Sequence, residues 1–123
     1  PAQFQPLPGK AAGTLVDGHW RVEQLAPDTW AIGEPANAPD NYAYLLIGTH
    51  RALLIDAGAT RDHDINRAIA GITALPVTVI PTHLHHDHVN GLGYFRNIAL
   101  ADLPDTKDRA EGDQVQLSRY QYG

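Results

Sequence analysis

Thr82-His83-Leu84-His85-His86-Asp87-His88 follows directly on Val77-Thr78-Val79-Ile80-Pro81, and the junction of these two stretches decides how the chain is read. Four of the chain's seven histidines fall within six residues. In an extended segment residues i and i+2 project to the same side, so His83 and His85 can converge on one ion. On a helix they would lie about 200° apart and could not. Asp87 and His88 come next in line, with room for a second ion beside the first. Imidazole and carboxylate donors suit Zn²⁺ above all, with iron or manganese as alternatives. A purification tag would be terminal and uniform, whereas this stretch is internal and interrupted by Leu84 and Asp87. His86 occupies a spacer position and reads as facing away from the ions.

Upstream of the cluster, Val77–Ile80 is a short β-branched run ended by Pro81, the pattern of a buried strand. Before it, Ile65, Ala68, Ile69 and Ile72 recur at i, i+3, i+4 and i+7. That spacing predicts an amphipathic helix over about residues 61–75, with Thr60 or Asp62 as its N-cap and Pro76 closing it. Ala52–Ile55 precedes this helix as another strand. Strand, helix and strand within about 30 residues make a right-handed βαβ unit with a parallel pair. Open α/β sheets hold their ligands at the carboxyl ends of such strands, which is where the histidines fall.

Tyr42–Ile47 and Ala52–Ile55 flank Gly48-Thr49-His50-Arg51, predicting a hairpin apolar enough to be buried on both faces. Arg21–Leu25 and Thr29–Ile32, joined by Pro27-Asp28, predict another. Trp20 and Trp30 on these strands read as sheet-packing residues. Residues 1–18, with Pro1, Pro6, Pro8, Gly9, Gly13 and Gly18, read as an irregular leader. His19, His50 and His63 fall in turns or near the helix start and read as surface residues. Asp102, Asp105, Asp108, Glu111 and Asp113 read as a solvated acidic face.

Composition narrows the function classes. Across 123 residues the formal charge is −5, the wrong sign for neutralising phosphates, so nucleic acid is not expected as a partner. The longest apolar run, Tyr42–Ile47, is far below the roughly 18–20 residues of a membrane helix, so no membrane partner is expected. There is no cysteine, which removes disulfides, thiolate ligands and a thiol nucleophile together. Ser118 is the only serine and lies in no Gly-x-Ser-x-Gly context. The chain starts Pro1-Ala2-Gln3 and contains no Met, as a processed, trimmed or excerpted product would. Its compartment, cytoplasmic or exported after loss of a signal peptide, is left open.

The segment Thr82–His88 resembles the metal-binding signature of the metallo-β-lactamase superfamily, and Leu54-Ile55-Asp56-Ala57-Gly58 resembles that family's preceding strand-end motif. The resemblance covers about residues 20–100. One departure lies after His88, where the family carries a residue and then Gly-Gly. Here Val89-Asn90-Gly91 keeps only the second glycine, and Asn90 is expected to tolerate a positive φ in its place.

The resemblance implies an α/β fold, the N-terminal half of an αββα sandwich with a mixed sheet, in which residues 19–123 form the N-terminal part of the domain. It implies that His83 and His85 bind a first metal and that Asp87 and His88 bind a second. Asp56 would stand behind them, orienting a ligand or the loop through hydrogen bonds, or it is simply a strand-terminal turn residue. A metal pair of this kind lowers the pKa of bound water toward about 7 and polarises a carbonyl or phosphoryl oxygen. The implied activity is a zinc-dependent hydrolase acting on a small molecule with an ester, thioester, lactone or β-lactam bond. Asp87 would be catalytic as well as a ligand, orienting the metal-bound hydroxide. A mononuclear iron oxygenase of the persulfide-dioxygenase kind shares the motif, and flavodiiron proteins fit less well because they carry Glu where this chain has His85. A non-catalytic metal-binding module is the third reading. The family's remaining ligands come from later strands, and no histidine follows His88. A second half of the domain, from the same polypeptide or another chain, is therefore expected to complete the centre and cover an open apolar face of the sheet.

Overall fold

The computed structural model describes residues 13–100, together with the backbone of residues 110–111 and 114–115. Seven strands form one sheet in chain order: β1 (Thr14–Val16), β2 (Trp20–Ala26), β3 (Thr29–Glu34), β4 (Ala38–Ile47), β5 (Ala52–Ile55), β6 (Val77–Ile80) and β7 (Asn97–Ile98). The first five pair antiparallel, while β5–β6 and β6–β7 are parallel. The expected mixed sheet with its βαβ unit is therefore present. A separate two-residue pairing joins β8 (Ala110–Glu111) and β9 (Gln114–Val115). The acidic side chains expected to form a solvated face, Asp102 to Asp113, lie outside the described residues.

Register explains the distribution of the core. Leu45 pairs with Leu54 and Leu54 with Val79, and all three are 0% exposed. The alternating row, Leu46 to Leu53 to Thr78, falls on the opposite face and lines a shallow open cleft with Ile47 and Ala52. The second hairpin is thus buried on one face and not on both, with Leu46 36% exposed. A helical covering layer accounts for the difference. Ile65, Ala68 and Ile69 are buried in the same core cluster as Leu45 and Leu54, so that face alone is closed. Trp20 is fully buried there and Trp30 packs against the cluster, as sheet-packing residues do.

Two stretches differ from the sequence reading. Within the Pro- and Gly-rich start, Thr14–Val16 is a strand paired to Trp20–Val22 through a turn in which Asp17 and Gly18 both take positive φ. The helix α1 is shorter than the apolar period suggests, Asn66–Ala70. Neither Thr60 nor Asp62 caps it, and Ile65 stands at its N-cap without a side-chain bond. The Asp64 carboxylate instead accepts the Asn66 N–H at 2.9 Å, while the Thr60 hydroxyl is taken up by Glu34. At the other end Gly71 and the β-branched Ile72 and Thr73 are poor helix residues, and the chain leaves through turns in which the N–H groups of both bond the Ile69 carbonyl. The 3.6 period was a true record of the buried face, but not of the helix length.

Candidate metal centre

The parallel pairing of β5 and β6 puts their carboxyl ends side by side, with Ile55 opposite Ile80 and the Asp56 N–H on the Ile80 carbonyl at 3.0 Å. Asp56 leaves β5 with φ 67°, a conformation Asp adopts more readily than most residues. Its buried carboxylate accepts the Thr82 N–H at 2.7 Å and the Thr82 hydroxyl at 3.0 Å. Its other oxygen lies 2.9 Å from His88 Nδ1. Asp56 thus turns the chain out of the strand and ties the histidine loop to β5.

From Thr82 the chain runs through His83 and Leu84, whose side chain is buried, to His85 in extended conformation at the head of the short helix α2 (His86–Val89). One donor atom each from His83, His85 and Asp87 lies within 4.8 Å of the others, the one such group among the described residues. The rings of His83 and His85 meet edge to face at 4.6 Å, and the His83 and His88 centroids are 4.2 Å apart. His88 Nε2 faces Asp87 Oδ2 at 3.4 Å. Asp87 and His88, next in line after His85, both lie on α2.

Hydrogen bonds fix which ring nitrogens are free. The Thr82 hydroxyl has one proton, which goes to Asp56, so its oxygen accepts from Nδ1–H of a neutral His83 at 2.9 Å. Nδ1–H of a neutral His88 donates to the same carboxylate. With Nδ1 so engaged in each neutral ring, Nε2 is the atom left for a metal, and at His88 it faces the Asp87 carboxylate at 3.4 Å. One buried carboxylate thus sets two imidazoles.

His86 stands outside this group and lines a cleft of about 630 Å³ with His19, Asn37, Thr60, His63 and Asn90. His50 is exposed, but His19 is not the surface residue expected: it is 8% exposed. Its ring meets Trp20 edge to face and stacks on His63 at 4.3 Å, and its Nε2 lies 2.8 Å from the Thr60 hydroxyl. The turn that pairs β1 with β2 folds this residue inward. Beside it, the Asp62 carboxyl is held below its ordinary range, first by its hydrogen bond with His63.

The polar group that sequence reasoning missed is Glu34, 1% exposed at the end of β3. It accepts the Ala59 N–H at 2.9 Å, the Thr60 hydroxyl, and Asn41 Nδ2 at 3.2 Å. Gly58, at φ 79°, leaves the space: a Cβ there would stand 2.9 Å from Glu34 Oε2. An acid directly after the apolar run Ala31-Ile32-Gly33 was the available signal. The glycine after His88 is also explained. Asn90 has φ −62° and Gly91 φ −88°, so neither needs the left-handed region expected of Asn90. A Cβ on Gly91 would lie 2.2 Å from the Ala57 carbonyl. The requirement is close approach, not a positive φ.

No helix among the described residues is long and apolar enough to cross a membrane. Comparison with curated protein sequences gave no match. Among solved structures, a metallo beta lactamase from Erythrobacter litoralis, crystallised with beta mercaptoethanol in the active site, is 22% identical with a TM-score of 0.61. The match covers 85% of this chain and 50% of that one, so this chain spans about half the length of its structural neighbour. At that identity the likeness shows the fold alone. The sequence profile of the metallo-beta-lactamase superfamily matches residues 37–101, from before β4 through α2 to β7. With more than half of its length so matched, the chain belongs to the metallo-beta-lactamase superfamily.

Proposed function

We propose that residues 83–88 are the metal loop of a zinc-dependent hydrolase, with His83 and His85 on a first ion and Asp87 and His88 on a second. The observation that carries the reading is the close grouping of donor atoms from His83, His85 and Asp87 at the carboxyl end of β6. The donor chemistry fits: imidazole and carboxylate suit Zn²⁺, and hydrogen bonds at Nδ1 leave the Nε2 atoms of His83 and His88 as the ones to bind it. Metal bound here would activate water and polarise the scissile carbonyl or phosphoryl group. The chain's own contribution is to hold those donors. Asp56 aligns His83, through Thr82, and His88, while Asp87 both binds and orients the attacking group. Substrates in this reading are small molecules with an ester, thioester, lactone or β-lactam bond. A second half of the domain, covalently continuous or separate, supplies further ligands and covers the Leu46–Leu53–Thr78 face.

Two histidines and one carboxylate also make the donor set of mononuclear iron oxygenases. This second reading is decided by metal analysis: about two zincs per active unit supports the hydrolase, a single iron the oxygenase. Turnover of an ester, thioester, lactone and β-lactam panel by the zinc-loaded protein tests the activity itself. Metal binding without any turnover, with the second half of the domain present, would leave a metal-binding module and refute the hydrolase.

A further inference from the structure

We propose that Glu34 is a positioning residue for the metal loop, its carboxylate holding the main chain at Asp87 through the side chain of Asn41. The inference rests on residues 83–88 being the metal loop. Glu34 and Asp87 are far apart in sequence, and one amide joins them. Asn41 Nδ2 lies 3.2 Å from Glu34 Oε2 and 2.6 Å from the Asp87 carbonyl. Both neighbours are oxygen acceptors, so only the amino group fits between them, and its two N–H bonds are both used. The Asp87 carbonyl lies on the first turn of α2 and is thereby pulled toward β4.

Glu34 reaches the same loop by a second route. By accepting from Ala59 N–H and the Thr60 hydroxyl it pins residues 58–60. That segment in turn bonds α2: the Gly58 carbonyl accepts the Asn90 N–H at 3.1 Å, and the Ala59 carbonyl accepts Asn90 Nδ2 at 2.7 Å. A buried carboxylate with three donors is costly to leave unpaired and so holds its partners firmly. Asp56 aligns two ligand rings from behind β5, whereas Glu34 fixes the backbone that carries Asp87.

The arrangement has a spectroscopic signature. The one proton of the Thr60 hydroxyl goes to Glu34, and the oxygen also accepts Asn37 Nδ2 at 2.8 Å. His19 Nε2, at 2.8 Å from that oxygen, must then be the donor, so a neutral His19 is the Nε2–H tautomer. In Glu34→Gln the oxygen must stay on Ala59 and Asn41, so the amino group turns to Thr60. The Thr60 proton is then released to His19, and the ring inverts to Nδ1–H. Every partner remains satisfied.

The test uses the full chain with Glu34→Gln, Glu34→Ala and Asn41→Ala. Zn²⁺ affinity is measured by competition with a chromophoric chelator, His19 by ¹⁵N shifts with the ring neutral, and the His88 and Asn90 amides by hydrogen exchange without metal. Glu34→Gln should keep parental affinity and show His19 as Nδ1–H. Asn41→Ala should fold and lose about 10–100-fold in affinity, the usual cost of removing a group behind a metal ligand, with faster exchange at both amides. Glu34→Ala should do the same where it folds. Parental affinity and unchanged exchange in Asn41→Ala would overturn the proposal, as would an unchanged His19 tautomer in Glu34→Gln. If the parent protein binds no zinc, the metal reading fails, and the exchange rates still decide whether Glu34 and Asn41 hold the loop.

Discussion

Oδ2 of Asp56 and Nδ1 of His88 stand 2.9 Å apart, on residues 32 positions distant in sequence. The contact spans from the end of β5 to the first turn of α2, and it leaves His88 Nε2 facing Asp87 Oδ2. Asp56→Asn keeps the shape but turns one acceptor oxygen into a donor. With its oxygen kept on Thr82, the new amino group meets Nδ1 of His88 and drives the ring to the Nε2–H form, which cannot bind metal. Affinity for the second ion should fall about 10–100-fold. Stability should change little, because Asn tolerates the φ of 67° at this position. Zinc titration beside thermal unfolding checks both, and unchanged second-site affinity would remove Asp56 from the account.

His85→Ala should strip metal and abolish turnover, while His86→Ala should leave both near the parent. His85 belongs to the donor group with His83 and Asp87, and His86 lines the cleft beside His19 and His63. Metal content by mass spectrometry separates the two, and equal losses would overturn the assignment of ligand and spacer.

Asp87→Asn preserves the size of the side chain and weakens its hold on the second ion. Occupancy should drop toward one metal, and activity should fall more than about tenfold, since the carboxylate both binds and orients. A parental rate in this variant would exclude Asp87 from the chemistry.

Gly91→Ala places a Cβ against the Ala57 carbonyl. Backbone cannot yield as a flexible side chain can, so the substitution should destabilise by about 1–3 kcal/mol and displace α2. Chemical denaturation measures the first effect and zinc affinity the second. A parental midpoint would show that the approach of Gly91 to Ala57 is looser than the structure has it.

The parts legible in the sequence were those written as local pattern. The β-branched Val77–Ile80, the apolar strands around Gly48–Arg51 and the stripe Ile65, Ala68, Ile69 each name a buried element, though not that the hairpin leaves one face open, and the sheet and its core follow from them. That His83, His85 and Asp87 lie close together follows from their being neighbours in the chain, although the sequence reading divides them between two ions. What pattern does not carry is long-range polar pairing. Nothing near Glu34 in sequence announces that Asn41, Ala59 and Thr60 will surround it, and nothing near His19 announces its burial against Trp20 and His63. The length of α1 was lost similarly, since the Thr60 hydroxyl that would have capped an earlier start is claimed by a strand end 26 residues away.

Anomalous diffraction at the zinc edge, from crystals of the zinc-loaded protein, decides whether residues 83–88 form a metal centre. One anomalous peak should lie about 2.0–2.2 Å from ring nitrogens of both His83 and His85, and a second at the same range from Asp87 and His88 Nε2. Fully occupied zinc elsewhere, with no peak in reach of His83, His85, Asp87 or His88, would contradict it.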